Sequence, residues 1–293
     1  MRNFFSRKVL MTSMIVIALL FGITGYAQKK TSAALPAGTV KLQYNYSSDN
    51  SIKYMTTNKI VQDMDVNGQA MQVNINGLLK CSVKLQNKEG DNLKLEIKID
   101  TMAQNVESPQ GATGGEVTDA KYKVFGMVIT PAGKPKDLTE AAKVVLTLPG
   151  SGPSDASQTF LDFFPVIPAT PVKPGDKWVA HDTSNTKTAT TTRFMPVESN
   201  YTFEGTEKFN GIDCAKITSI LSGTMKMTTQ SQGMDIATNG IFTGTKTLYF
   251  DIKDGYYISE TTVTKMTGMV EITNQGMSFP VVMTVTATNE MVK

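Results

Sequence analysis

The stretch QDMDVNGQAMQ, residues 62–72, admits two incompatible readings. Asp63, Asp65, Asn67 and Gly68 begin like the calcium loop D-x-D-x-[DN]-G. Such a loop requires a bidentate Glu at its twelfth position and helices on both flanks. Counting from Asp63 that position is Asn74, and the flanks alternate apolar with polar residues as strands do. With Asn67-Gly68 as a two-residue turn, the facing pairs become Val66 with Gln69, Met64 with Met71, Gln62 with Val73 and Ile60 with Ile75. Six of those eight side chains are apolar and close one face onto a core, while Asp63 and Asp65 point the other way, into water. The segment is therefore a hairpin tip, and no metal site is expected.

Alternation of period two continues on either side. Met71, Val73, Ile75, Leu79, Cys81, Val83 and Leu85 hold one parity, interrupted by Gly77. Beyond the turn at Lys88–Asp91, Leu93, Leu95, Ile97 and Ile99 repeat it. Val40, Leu42, Tyr44 and Tyr46 predict an earlier strand, and further strands are expected at Lys121–Thr130, Asn200–Phe209, Cys214–Thr229, Ile241–Ile252, Tyr256–Ile272 and Phe279–Thr288. The polar, β-branched run 183–193 fits an exposed strand. Residues 105–121, rich in Gly and polar side chains, predict a mobile loop.

Eight of the twelve prolines fall between Pro131 and Pro174, which excludes continuous sheet there. Two helices are expected in this span. Asp137 and Glu140 form a capping pair ahead of the stripe Leu138, Ala141, Ala142 and Val145. Ser154 or Asp155 caps SDASQTFLDFF, which Pro165 stops. Phe160, Phe163 and Phe164 expose more apolar surface than one helical turn can hide, so they must dock on the sheet.

These elements predict a mainly β fold of about ten to twelve long antiparallel strands. They form a curved sheet or half-barrel with one or two short helices on its apolar face. Two similar halves are conceivable, since NGLLKCSVKL (76–85) and NGIDCAKITS (210–219) echo each other. The expected organisation is a leader at 1–27, a β half at 28–148, a proline-rich helical connector at 149–174 and a second β half at 175–293.

The leader carries Arg2, Arg7 and Lys8, an apolar run from Val9 to Ile23, and a small-x-small cleavage site at Gly25-Tyr26-Ala27. These are the parts of a signal peptide, and no cysteine follows to accept a lipid anchor. A soluble, exported, periplasmic or extracellular protein is expected. The chain has 29 Lys+Arg against 26 Asp+Glu; without the leader the balance is 26 against 26. No basic field remains to attract nucleic acid or anionic lipid headgroups.

Catalytic chemistry has little to build on. The single histidine, His181, lies beside Asp182, which opposes it across a strand, so a carboxylate to orient it would have to come from a neighbouring strand, and no nucleophile elbow or second histidine is present. Two cysteines and one histidine match no zinc spacing, and no phosphate-binding glycine loop occurs, so no cofactor is expected. Cys81 and Cys214 either form a disulfide after export or remain two buried thiols. Fourteen methionines follow the leader, eight of them from Met225 onward. Flexible thioethers either pad a large core or line a surface that accepts varied apolar ligands. On the second alternative Phe160, Phe163, Phe164, Trp178, Met225 and Met227 are the candidate lining of a site for a lipid or other apolar small molecule. The competing expectation is a structural or adaptor protein that engages another envelope protein through strand edges or loop 105–120.

The leader ending GYAQ, the strand VKLQYNY, the phrase MVITPAGKPKDL, the segment FFPVIPATPVKPGDKW and the strand FDIKDGYYISE together resemble uncharacterised exported β-rich proteins of the bacterial envelope. More distantly, many strands around a short helical plug are similar to lipoprotein-carrier (Lol-type) half-barrels, which shield acyl chains in the periplasm. These resemblances imply an architecture and carry no catalytic residue with them.

Overall fold

The computed structural model describes residues 38–66, 68–149, 152–187, 191–231 and 233–292. The leader and Asn67 lie outside them. Strands β1 (Ile52–Val66), β2 (Gln69–Glu89) and β3 (Asn92–Ser108) form a meander. A middle region of short elements follows: β4 (Gly111–Glu116), β5 (Val124–Ile129), β6 (Pro135–Asp137), β7 (Val145–Leu148), β8 (Gly152–Asp155) and the helix α1 (Ala156–Phe160). Then come the long strands β9 (Lys177–Lys187), β10 (Thr191–Phe209), β11 (Ile212–Ser231), β12 (Met234–Asp251), β13 (Tyr257–Ile272) and β14 (Met277–Val292). One antiparallel sheet of twelve strands has the order β6-β5-β3-β2-β1-β14-β13-β12-β11-β10-β9, with β4 attached to β3. Strands β7 and β8 form a separate pair.

The opening hairpin has the register its alternation predicts. Val66 pairs Gln69, Met64 pairs Met71, Gln62 pairs Val73 and Ile60 pairs Ile75. Met64, Val73 and Ile75 are buried, while Asp63 and Asp65 are exposed. Asp63 accepts from Gln72 Nε2 at 2.8 Å, and Asp65 Oδ1 accepts from the Gly68 amide at 2.7 Å. Both carboxylates serve the turn.

The sheet curls until its inner face meets itself. One apolar cluster joins Ile60, Met71 and Val73 of the first strands to Met195, Leu221 and Phe242 of the last ones. Small residues permit the curl: a Cβ on Gly223 would sit 2.3 Å from Pro196 O, and one on Gly240 would sit 3.0 Å from Met266 Cγ. A second cluster fills the other end of the trough with the middle region, including Phe160, Phe163, Phe164 and Ile167.

Four local expectations are corrected. Residues 40–46 alternate, but only Val40 makes a β-bridge, to Val172. Their amides bond to loops instead, Tyr44 N to Pro131 O and Asn45 N to Gly255 O. Leu42, Tyr44 and Tyr46 join Phe160, Phe163, Phe164 and Ile167 in a plug of the trough, while Lys41, Gln43 and Asn45 stay exposed. The predicted helix at 137–145 is only a 3-10 turn, Ala141–Lys143, between β6 and β7. Its capping pair is engaged elsewhere: Glu140 accepts from the Gly126 amide at 2.8 Å and lies 3.2 Å from Lys94, and Asp137 accepts from Thr139 N. The second helix is limited to the five residues of α1. The expected loop at 105–121 is largely a hairpin, because β3 runs on to Ser108 and pairs β4 from Ala103↔Glu116 to Ser108↔Gly111.

The two Asn-Gly echoes are not equivalent. Asn76-Gly77 lies within β2, whereas Asn210-Gly211 turns β10 into β11. Cys81 and Cys214 are both buried free thiols. Cys81 pairs Tyr54 on the inner face. Cys214 precedes Ala215, whose side chain joins the inner cluster with that of its partner Phe250, so Cys214 faces outward. Four strands and the sheet itself separate the two sulfurs, and a disulfide needs Cα atoms within about 7 Å.

Candidate functional site

Between the two apolar clusters the inner face is polar. The ladder places Tyr201, Ser219, Lys246, Thr262, Ala287, Asn58, Gly77 and Gln104 in one row across eight strands. A neighbouring row carries Glu260 beside Asn289 and Thr56. Thr56 donates to Asn289 Oδ1. Strands that are otherwise apolar on this parity thus share a belt of hydroxyls, amides and charges.

Its charged part lies toward β9–β13. Lys246 Nζ is 2.7 Å from Glu260 Oε1, and the two side chains are only 11% and 7% exposed. Asp162, just after α1, faces this pair, with Asp182 of β9 and Arg193 of β10 also in electrostatic range. Arg193 Nη2 donates to Ser184 Oγ at 3.1 Å. The plug thereby carries one carboxyl onto the charged part of the belt, which four of the strands build.

Burial sets the electrostatics. Desolvation pushes the Asp162 carboxyl up to about 7, although Lys246 and Arg193 pull against it. Desolvation alone would lower the Lys246 ammonium. Glu260 chiefly, with Tyr201 and Asp162, more than offsets this and holds Lys246 above the usual lysine range. Burial lowers Arg193, opposed by Asp162, and raises the Tyr201 phenol.

A cavity of about 10 Å³ lies at the foot of this cluster, between Pro165 and Val166 of the plug and Tyr201, Ser219, Lys246 and Glu260 of the sheet. That is about one water's worth of space. Ser219 Oγ is buried there without a hydrogen-bond partner among the described residues. An unsatisfied buried hydroxyl carries a desolvation cost of about 1–3 kcal/mol that a polar atom in the cavity would remove.

The six residues expected to line one apolar site fall into two places. Phe160, Phe163 and Phe164 are fully buried in the plug cluster, where Phe163 meets Tyr54 edge-on at 5.6 Å and Phe164 meets Tyr44 at 6.0 Å. Trp178 packs against the same cluster from β9, stacked on Tyr201 at 5.2 Å. Met225 and Met227 belong to the other cluster, with Met64, Met71, Met195, Met234, Met266 and Met283. The polar belt separates the two groups. Its members could be found in the sequence by one signal: Ser219, Lys246 and Glu260 occupy the buried parity of otherwise apolar strands.

His181 lies on the opposite face, 73% exposed, with Nδ1 3.8 Å from Glu198. The ladder aligns His181, Glu198 and Ser222 in that order. The carboxylate therefore stands between histidine and hydroxyl, whereas a triad needs the histidine in the middle.

No family model matches the chain, and no curated protein matches it. The likeness to uncharacterised envelope proteins therefore rests on the quoted segments alone. Among solved structures, OccK2 (OpdF) of Pseudomonas aeruginosa aligns at 6% identity over 85% of this chain and 100% of that one, with a TM-score of 0.24. OccAB3 of Acinetobacter baumannii aligns at 7% identity, over 83% and 99%, with a TM-score of 0.24. A DUF1329 family protein from Desulfovibrio piger aligns at 11% identity, over 81% and 85%, with a TM-score of 0.13. Superpositions this poor carry no argument about fold or function. Among the described residues no helix is long and apolar enough to cross a membrane.

Proposed function

We propose that the protein is an exported, non-enzymatic envelope protein that holds an amphiphile such as a lipid inside its curled sheet. The supporting observation is the buried charged belt that lies between an aromatic plug and a methionine-rich slot. Even paired charges in an apolar trough are costly to desolvate, and a core built only for stability often does as well or better with hydrophobic replacements. A ligand with a polar head and an apolar tail matches the arrangement. The head meets Ser219, Lys246 and Glu260 at the small cavity, and the tail enters between strands whose thioethers repack with little loss.

The trough is filled by the protein's own side chains, so the reading assigns this conformation to the unloaded state. Binding requires the Pro165–Ile167 part of the plug to give way. The decisive experiment is native mass spectrometry of protein purified from its own envelope, with a fluorescent fatty acid as a second probe. Co-purified lipid, displaced by the fatty acid, is the expected result. A bare chain that takes up no fatty acid would sink the reading.

A second reading, an adaptor that adds a partner's strand, has one observation in its favour. Strand β9 is a sheet edge of eleven residues, paired only to β10 among the described residues. Edges of that length normally carry a protective device or recruit another strand. In-cell crosslinking from Val179 would separate the two, since a reproducible protein adduct belongs to the adaptor alone.

A further inference from the structure

We infer that the lysine-rich end of the convex face of β1–β3, around Lys53, Ser82 and Lys98 and with the 121–124 segment beside it, is a docking surface for an anionic lipid bilayer. This inference is independent of what the interior holds. The ladder places Lys53, Ser82 and Lys98 in one row on that face, with Lys80 and Lys84 on either side of Ser82. They surround an open depression of about 560 Å³. Lys84 pairs Glu96 at 3.0 Å, and Lys98 reaches Asp100 at 3.8 Å. Lys53, Lys80 and Lys123 have no ion pair among the described residues. With Lys121, paired to Glu116 at 3.5 Å, six lysines share this end of the face with three carboxylates, a local excess that corrects the expectation drawn from the neutral overall balance.

At the border of this patch stands Tyr122, 65% exposed, with φ +61°. A bulky residue in the left-handed region is strained, and here no burial offsets the strain. The backbone imposes it: Tyr122 N donates to Ile99 O at 2.8 Å, and Lys123 O accepts from Ile99 N at 2.9 Å. The ring is held between Lys98 and Lys121, whose ammonium groups lie 5.6 and 5.5 Å from its centroid. Val124, two residues further on, is 52% exposed. A soluble acidic polymer would ask only for the charges. An exposed tyrosine and valine set among lysines match the boundary between headgroups and acyl chains, where amphipathic rings and long cationic side chains settle.

The test is flotation of the full chain with vesicles of phosphatidylcholine alone and with vesicles containing about a quarter phosphatidylglycerol. Every sample keeps the same N-terminal segment, whose basic residues also favour anionic vesicles, so the comparison of parent with variants isolates the patch. Binding to the anionic vesicles is expected, fading as salt rises from ~0.1 M to ~1 M, where the screening length falls to about 3 Å. Each lysine near an anionic surface contributes about fivefold, so Lys80→Glu with Lys98→Glu should weaken binding by at least about 25-fold. Tyr122→Gly fits the same backbone and should weaken vesicle binding while circular dichroism stays unchanged. Equal binding to both vesicle types, or binding indifferent to salt and to these substitutions, would overturn the inference. So would capture of a soluble acidic polysaccharide by a chain that ignores vesicles.

Discussion

Lys246 and Glu260 form an ion pair 2.7 Å long on the inner face of adjacent strands, nearly closed to solvent. Removing one partner leaves the other charged and desolvated. Lys246→Met and Glu260→Leu alone should each cost about 3–5 kcal/mol in denaturant unfolding. The double variant, which buries two apolar groups instead, should recover most of that loss. If the single losses simply add, the pair is not coupled as the geometry requires. On the proposed function, the double variant would also fold well while retaining less lipid.

The two thiols offer a simple check on topology. Burial pushes Cys214 up to about 11, with Asp251 adding to it, and raises Cys81 further. At pH 8 both should stay protonated and hidden in the native protein, because the thiolate is the reactive form. A thiol reagent added in denaturant without reductant should count two cysteines per chain. A count of zero would mean a disulfide, and with it a different strand order.

The plug is keyed to the sheet through Gly133. Its φ is +86°, and a Cβ there would lie 2.4 Å from Tyr44 Cε2 and 2.6 Å from Pro165 O. Tyr44 itself donates to Pro165 O at 2.8 Å. Gly133→Ala should therefore cost about 2–4 kcal/mol through backbone strain and overpacking together. Gly90→Ala is the control: φ is +62° but no atom lies within 4 Å, so only the strain of about 1 kcal/mol remains. Equal losses at the two sites would mean that the plug is not packed as described.

Legibility followed periodicity. The hairpin at 62–72 and the long strands could be read because one-sided burial writes a period of two, and the Asn-Gly turn set the register. The middle region was read less well. Asp137 and Glu140 look like a capping pair in sequence, yet Glu140 is taken by Gly126 and Lys94, partners fourteen and more residues away. Tyr44 and Tyr46 alternate as a strand would, but they are buried because Phe164 and Tyr256 of the loops and Tyr54 and Phe250 of the sheet surround them. The belt was missed for a related reason. A Lys or Glu on the buried parity of a strand signals a contact whose partner lies on another strand, and alternation within one strand cannot name it.

Asp162 gives the belt a pH dependence with a definite sign. Its folded carboxyl is raised to about 7 by burial, above its ordinary value of 3.8. Between those two values the folded protein holds a proton that the unfolded chain has released. Stability must then fall as pH rises through that window. The favourable contribution is complete below about pH 4 and gone above about pH 7. At about 1.4 kcal/mol per unit the loss is at most about 4 kcal/mol, an upper bound because the residue as a whole is only half-buried. Asp162→Asn cannot titrate, so the difference in unfolding free energy between parent and variant isolates this one group. The variant should match the parent near pH 4 and exceed it near pH 8, as measured by urea unfolding at both values. A difference that does not change with pH would show that Asp162 reaches solvent, and that the plug does not bring its charge onto the belt.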